Sequence, residues 1–291
     1  MNYSIKNILI HLRFPFSILL LPVFLFAFSQ VEKPNLWNSL ILLFILHILI
    51  YPSSNGYNSY MDDDNSSIGG IKNPPKVPKQ MFLVSVLMDS FAVVISFLFF
   101  HYQISLLLLL YILASRAYSF RGIRLKKYPI IGFLTVGLFQ GSIIYLLSTW
   151  AISNTIYYSQ IQIISSAISF LLIGAGYPLS QVYQHVEDKK DNVKTLSMML
   201  GINGTFIFSG FLFALLGIMM GYYFIFIKNN ITDLILFGIC LGPVTFVFYT
   251  WMKKTFAKQE EANFENTMKM NKTGAWAINI FFVLLILKSF I

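Results

Sequence analysis

Nine apolar stretches, each close to the length of a membrane-spanning helix, follow one another through the chain. A spanning helix needs about 20 mostly apolar residues. Segments of that kind cover approximately residues 14–30, 36–57, 80–100, 103–120, 129–150, 161–183, 204–227, 231–251 and 273–290. No stretch between them has the make-up of a soluble domain. Only 11% of the 291 residues are charged, 56% are hydrophobic, and the mean hydropathy is +0.68; a soluble domain carries about 25% charged residues. The fold class expected is all-α: a polytopic membrane protein of about nine transmembrane helices, a single domain over residues 1–291. The opening residues read as a short interfacial helix leading into a retained first span. The one cysteine, Cys240, excludes an intrachain disulfide framework or a cysteine-based metal site.

Charge placement supports this count. With the N-terminus inside, all but Lys33, Lys228 and Lys288 of the 21 Lys and Arg fall in inside segments. That is the positive-inside asymmetry of cytoplasmic loops. The net charge of +9 is then a matter of topology and calls for no nucleic acid. The expected location is an integral, multi-pass protein of a bacterial inner membrane, with the C-terminus outside. The linker at 252–272 reads as amphipathic surface without chemistry.

Three inside loops are dense in polar residues. In "NSYMDDD", a helix continuing past the second apolar run puts Asn58 and Asp62 four apart on one face. Asp64 lies just beyond. Such oxygen donors suit Mg²⁺ shared with a substrate phosphate. In "YQHVEDKKDNVKTLSMMLG", Gln184 and Asp188 repeat the spacing, with Lys189 and Lys194 close by. In "SRAYSFRGIRLKKYP", five cations stand between two spans; Arg121, Arg124 and Lys126 suit a diphosphate, with Tyr118 as a hydroxyl donor. Retention by the positive-inside rule is the alternative for that loop. "IGGIKNPP", which contains Lys72, reads as a shaped loop over the mouth. Asp89 and His47 fall inside spans, where Asp89 faces either a cavity or a neighbouring helix and His47 serves packing.

These features together resemble the UbiA superfamily of intramembrane prenyltransferases, over nearly the whole chain. "NVKTLSMMLG" is similar to that family's "GxRTLPxxLG", and "YSFRGIRLKKYP" to its "YSxPLRLKxxP". The resemblance implies a helical bundle with a cytoplasmic-side active-site cavity and two Asp-rich motifs, NDxxDxxxD and DxxxD, that bind Mg²⁺ and an isoprenyl diphosphate. Carried onto this chain, Asn58 and Asp62 take first-motif places and Asp188 the last place of the second. Tyr118, Arg124 and Lys126 take those of the basic segment. Ser59 and Gln184 stand where the family has Asp.

The implied metal set is Asn58, Asp62, Asp64, Gln184 and Asp188. Lys72, Arg121, Lys189 and Lys194 join Asn58 and Gln184 in holding the donor, and Asp62, Asp188, Arg124, Lys126 and Tyr118 carry the chemistry. The expected activity is Mg²⁺-dependent transfer of an isoprenyl group from its diphosphate to an aromatic or lipid acceptor in the membrane. The alternatives are a catalytically silent member that binds isoprenoid or lipid, and a transporter.

Overall fold

The structure, a computed structural model, describes residues 3–63 and 66–290. Its main elements are ten helices. They are α1 (Tyr3–Leu12), α2 (Leu21–Gln30), α3 (Leu36–Asp62), α4 (Met81–Phe99), α5 (Tyr102–Ser119), α6 (Pro129–Ser153), α7 (Gln160–Lys190), α8 (Leu196–Ile227), α9 (Ile231–Ala257) and α10 (Phe264–Lys288). Within the described residues, α3, α4 and α6 to α10 are each long and apolar enough to cross a membrane. The segment from Ser4 to Gln30, bent by 42° at Leu20, supplies an eighth span. The ninth expected span is α5, 18 residues long and weakened in apolar character by Gln103 and Arg116. At a rise of about 1.5 Å per residue it extends ~27 Å, close to the hydrocarbon thickness.

Three local departures follow from the sequence. The first expected span is not one helix: a 3₁₀ turn, Phe14–Leu19, precedes α2, and Arg13, left-handed at φ 50°, stands just before that turn. In α3, Pro52 offers no N–H and crowds the carbonyl four residues back; the preceding turn, Ile45–Ile50, widens into a π-helix. In α8, Gly201 (φ 70°, ψ 168°) interrupts the helix, which begins at Leu196 rather than near residue 204. The linker at 252–272 is largely helical. It holds a 3₁₀ turn, Gln259–Glu261, fixed by the Trp251 indole donating to the Glu261 carbonyl (2.7 Å).

Aromatic packing closes the bundle. Phe26 of α2 stacks on Phe282 of α10 (5.1 Å) and touches Tyr145 of α6 and Tyr223 of α8. The first and last spans are thereby neighbours. α6 and α7 approach through Gly141, where a Cβ would lie 2.5 Å from the Ser169 carbonyl oxygen. Outward faces are apolar, as with Ile235, Ile239, Phe246 and Tyr249 on α9. A bilayer accepts such faces because hydrocarbon, not water, surrounds them, and the helices satisfy their own backbone groups.

Candidate active site at one end of the bundle

The acidic end of α3 is built by its own helix. Asn58 and Asp62 lie one turn apart, and Asp63, left-handed at φ 49°, ends the helix with its N–H on the Ser59 carbonyl (3.0 Å). Carboxylates at a helix C-terminus oppose the helix dipole, so this end needs cations. The loop after α5 supplies them. Lys126 Nζ stands 2.6 Å from Asp62 Oδ1 and Arg124 Nη2 3.3 Å from the same oxygen. Arg121 donates to the terminal carbonyl of Met61 (2.8 Å). Arg124 also pairs with Asp191, which Arg121 approaches at 3.6 Å. Arg124 Nε is buried without a hydrogen-bond partner among the described residues.

The second acidic motif is positioned by the end of α7. A 3₁₀ stretch, Pro178–Gln184, precedes a last turn, His185–Lys190. The start of α8 holds it in place: the Ser197 N–H donates to Gln181 Oε1 (3.1 Å) and the Ser197 hydroxyl bonds His185 (2.8 Å). Tyr118 meets Tyr177 hydroxyl to hydroxyl at 2.6 Å, so α5 and α7 touch at this level.

Between these ends lies a cavity of about 260 Å³. Asn58, Asp62, Tyr118, Lys126, Gln184 and Asp188 all line it. Arg121 and Arg124 stand behind the rim through the ion pairs already described. Lys72 does not line the cavity; it pairs with Glu265 at the surface. Lys189 and Lys194 are exposed and also off the lining. Asp64 lies outside the described residues.

Sequence reasoning missed several lining groups. Arg13, only 8% exposed, donates to the Asn55 carbonyl (2.8 Å) and the Gly69 carbonyl (3.3 Å). The loop at 66–80 thus bends over the mouth, with Gly69 and Gly70 against Phe16. A glycine is required at position 70, where φ is +85°. Met268 and Asn271 of α10 line the cavity too, in a region that reads in sequence as surface without chemistry. The signal for Arg13 was present in "LRFP", a lone cation before a Pro at the head of an apolar run.

The donor set fits a hard divalent cation in part. Asp62, Asp188, Asn58 and Gln184 line one space and offer carboxylate and amide oxygens, the type of ligand Mg²⁺ takes alongside substrate phosphate and water. The Asn58 amide nitrogen is held by the Ser119 hydroxyl (3.0 Å), leaving its oxygen as the free end. No cluster of three or more His, Cys, Asp or Glu suited to a metal occurs among the described residues, so diphosphate oxygens and water would complete the shell.

Asp89 and His47, which fall within spans, both lie off the cavity lining. Asp89 of α4 pairs with Arg116 of α5 (Nε at 2.8 Å) and accepts from the Ser53 hydroxyl of α3 (2.6 Å). The Arg116 guanidinium also lies 4.0 Å from the centre of the Tyr57 ring. His47 packs edge-on against Tyr51.

No curated protein matches this chain. Solved structures match over nearly all of its length. A UbiA homolog from Archaeoglobus fulgidus bound to DMAPP and Mg²⁺ has a TM-score of 0.65 and 16% identity, covering 96% of this chain and 99% of that one. A structure of digeranylgeranylglyceryl phosphate synthase gives 0.61 and 20%, covering 98% of each chain. The apo UbiA homolog from Aeropyrum pernix K1 gives 0.64 and 13%, covering 92% and 98%. At these identities the likeness establishes the fold. Residues 19–273 match the UbiA prenyltransferase family, and with its long apolar helices this chain belongs to that family as a multi-pass membrane protein.

Proposed function

We propose that the protein transfers an isoprenyl group from an isoprenyl diphosphate to an acceptor within the membrane, with Mg²⁺ as cofactor. One observation carries this reading: Asp62 and Asp188, from two separate motifs, line the same cavity as Lys126. The one-sided cations favour a cytoplasmic mouth for this site, and there Asn58, Asp62, Gln184 and Asp188 would hold the metal. When bound, Mg²⁺ neutralises diphosphate oxygens and so eases departure of the leaving group.

The chain's own residues do the rest. Lys126 and Arg124 bring two positive charges to within hydrogen-bond reach of Asp62, and Arg124 Nε keeps an unused donor. These donors stabilise the negative charge that grows on the diphosphate as the allylic C–O bond breaks and its electron pair leaves with oxygen. The allylic cation forms a bond to an electron-rich atom of the acceptor, which then gives up a proton to the diphosphate or to water at the mouth. Tyr118, held by Tyr177, fixes the wall between the two motifs. Arg13 adds further positive charge to the cavity lining.

The test is Mg²⁺-dependent release of diphosphate from geranyl diphosphate by purified protein in detergent, beside Asp62→Ala and Asp188→Ala. Release that both variants lose supports the reading. A second reading, binding without turnover, is favoured by Gln184 and Ser59 standing where acids are usual; tight metal-dependent binding with no release would select it. Absence of metal-dependent binding would overturn both.

A further inference from the structure

The cavity continues below the charged rim into a polar floor that the proposed chemistry does not use. Ser54 precedes Asp62 by eight residues of α3, and Tyr111 precedes Tyr118 by seven residues of α5. At the helical rise both lie ~10–12 Å deeper in the bundle than the rim. Gln140 reaches the same cavity from α6. Ser115 of α5 donates to Ser54 at 3.0 Å. The Tyr111 side chain is 1% exposed, its ring is held edge-on by Tyr51, and its buried hydroxyl makes no close hydrogen bond. Ser54 and Gln140 are its polar neighbours.

This floor is built, not incidental. Gln140 sits in a π-helical turn, Gly137–Ile143. Such turns are rare and concentrate at functional sites. Here the turn is held where α6 meets α7: the Ser142 hydroxyl donates to the Ser166 carbonyl (2.9 Å), and Gly141 lies against the Ser169 backbone.

We infer that Tyr111, Gln140, Ser54 and Ser115 form a subsite for a neutral oxygen, hydroxyl or carbonyl, on the acceptor. This rests on the prenyl-transfer reading only in calling the ligand an acceptor. A hydrocarbon chain over this floor would leave the buried Tyr111 hydroxyl without a close hydrogen bond, which is costly. Such a chain fits instead against Val136 and Phe139, which line the cavity on the same helix as Gln140. A carboxylate or phosphate head belongs nearer the rim, where Arg13 and Lys126 line the cavity, while Arg116 is taken by Asp89. A neutral hydroxyl satisfies Tyr111 and Gln140 at once. A site that hydrogen-bonds its substrate rejects the analogue lacking that group far more strongly than an apolar pocket can.

The neutral oxygen could come from a phenolic ring or from a glycerol lipid, and the probes separate these. Full-length protein in detergent is loaded with Mg²⁺ and the unreactive donor analogue geranyl S-thiolodiphosphate. It is then titrated calorimetrically with hydroquinone beside benzene, and with 1-O-octylglycerol beside its counterpart lacking both hydroxyls. The expected result is that at least one dihydroxy probe binds about tenfold tighter than its partner, as one buried hydrogen bond is worth ~1 kcal/mol or more. Tyr111→Phe and, independently, Gln140→Leu should abolish that preference while thermal unfolding and Mg²⁺-dependent binding of the donor analogue persist. The phenolic pair or the glycerol pair showing the preference identifies the source. No preference in either pair, no binding of any probe, or a preference that survives both variants overturns the subsite. Donor binding is read separately: a subsite preference without any donor binding would remove the prenyl-transfer reading and leave the subsite standing.

Discussion

Lys126 Nζ and Asp62 Oδ1 are 2.6 Å apart, and both side chains are more than nine-tenths buried. A carboxylate this deep at a helix C-terminus is tolerable only because Lys126 and Arg124 both face it. Removing one partner of a buried pair costs about 3–5 kcal/mol when nothing replaces it. Lys126→Met should cost less, ~1–3 kcal/mol, because Arg124 remains on the same oxygen. The double variant Asp62→Asn with Lys126→Met should recover much of that loss. Thermal unfolding of the four proteins in detergent provides the double-mutant cycle. Additive effects would mean the pair is not coupled.

A second buried pair holds the bundle, away from the cavity lining. Asp89 joins α4 to Arg116 of α5 and to Ser53 of α3, with side chains 12% and 17% exposed for the two ions. Asp89→Ala leaves Arg116 buried with only the Ser53 hydroxyl, a backbone carbonyl and the Tyr57 ring face, and should destabilise by about 3 kcal/mol. Asp89→Leu with Arg116→Met should restore most of the stability, since apolar replacement of a buried pair is often neutral. Essentiality of Asp89 for flux of a solute, with Asp62 and Asp188 dispensable, would instead revive the transporter reading.

Much of this was legible before the structure, for physical reasons. The apolar segments and the one-sided cations report membrane insertion directly, so span order could be read. Asn58 and Asp62 share a face because four residues make about one turn, which helical periodicity alone supplies. What could not be read was long-range: that Arg13, 42 residues from Asn55, donates to its carbonyl, or that Asn271 of α10 reaches the cavity. Lys72 looked like a phosphate ligand by its neighbours in the sequence, yet the fold turns it toward Glu265. The bend of the first span falls at Leu20, between a 3₁₀ turn and α2, where no periodicity announces it.

Arg13 and Lys72 therefore make a contrast. Arg13 is buried on the cavity wall, whereas Lys72 is paired at the surface. Arg13→Leu should weaken binding of geranyl diphosphate with Mg²⁺ by at least tenfold, since a hydrogen bond to a charged group is worth ~1.5–3 kcal/mol. Lys72→Ala should change neither affinity nor unfolding temperature measurably, as exposed ion pairs contribute about 0–1 kcal/mol. Equilibrium binding of radiolabelled donor to the two variants checks this. Equal losses would mean the loop bearing Lys72 closes over the donor when it binds.

Gly141 is a position where backbone leaves the bundle no room for a side chain. A Cβ there would lie 2.5 Å from the Ser169 carbonyl oxygen and 2.8 Å from the Phe170 Cα, both backbone atoms that cannot rotate away. Gly141→Ala must therefore push α7 from α6, and overpacking of this kind costs about 1–3 kcal/mol. At Gly217 of α8 nothing lies within 4 Å of the added carbon. Gly217→Ala should be neutral or stabilising by up to ~1 kcal/mol, because alanine is the better helix former. The two variants share the same chemical change, so helix propensity cannot explain a difference between them. Because Gly141 adjoins Gln140 in the π-helical turn, separation of α6 from α7 should also shift the floor of the cavity. Gly141→Ala is expected to lower the unfolding temperature and weaken acceptor binding together, while Gly217→Ala changes neither adversely. A Gly141→Ala protein as stable as its parent would show that the two helices are not in contact at this point.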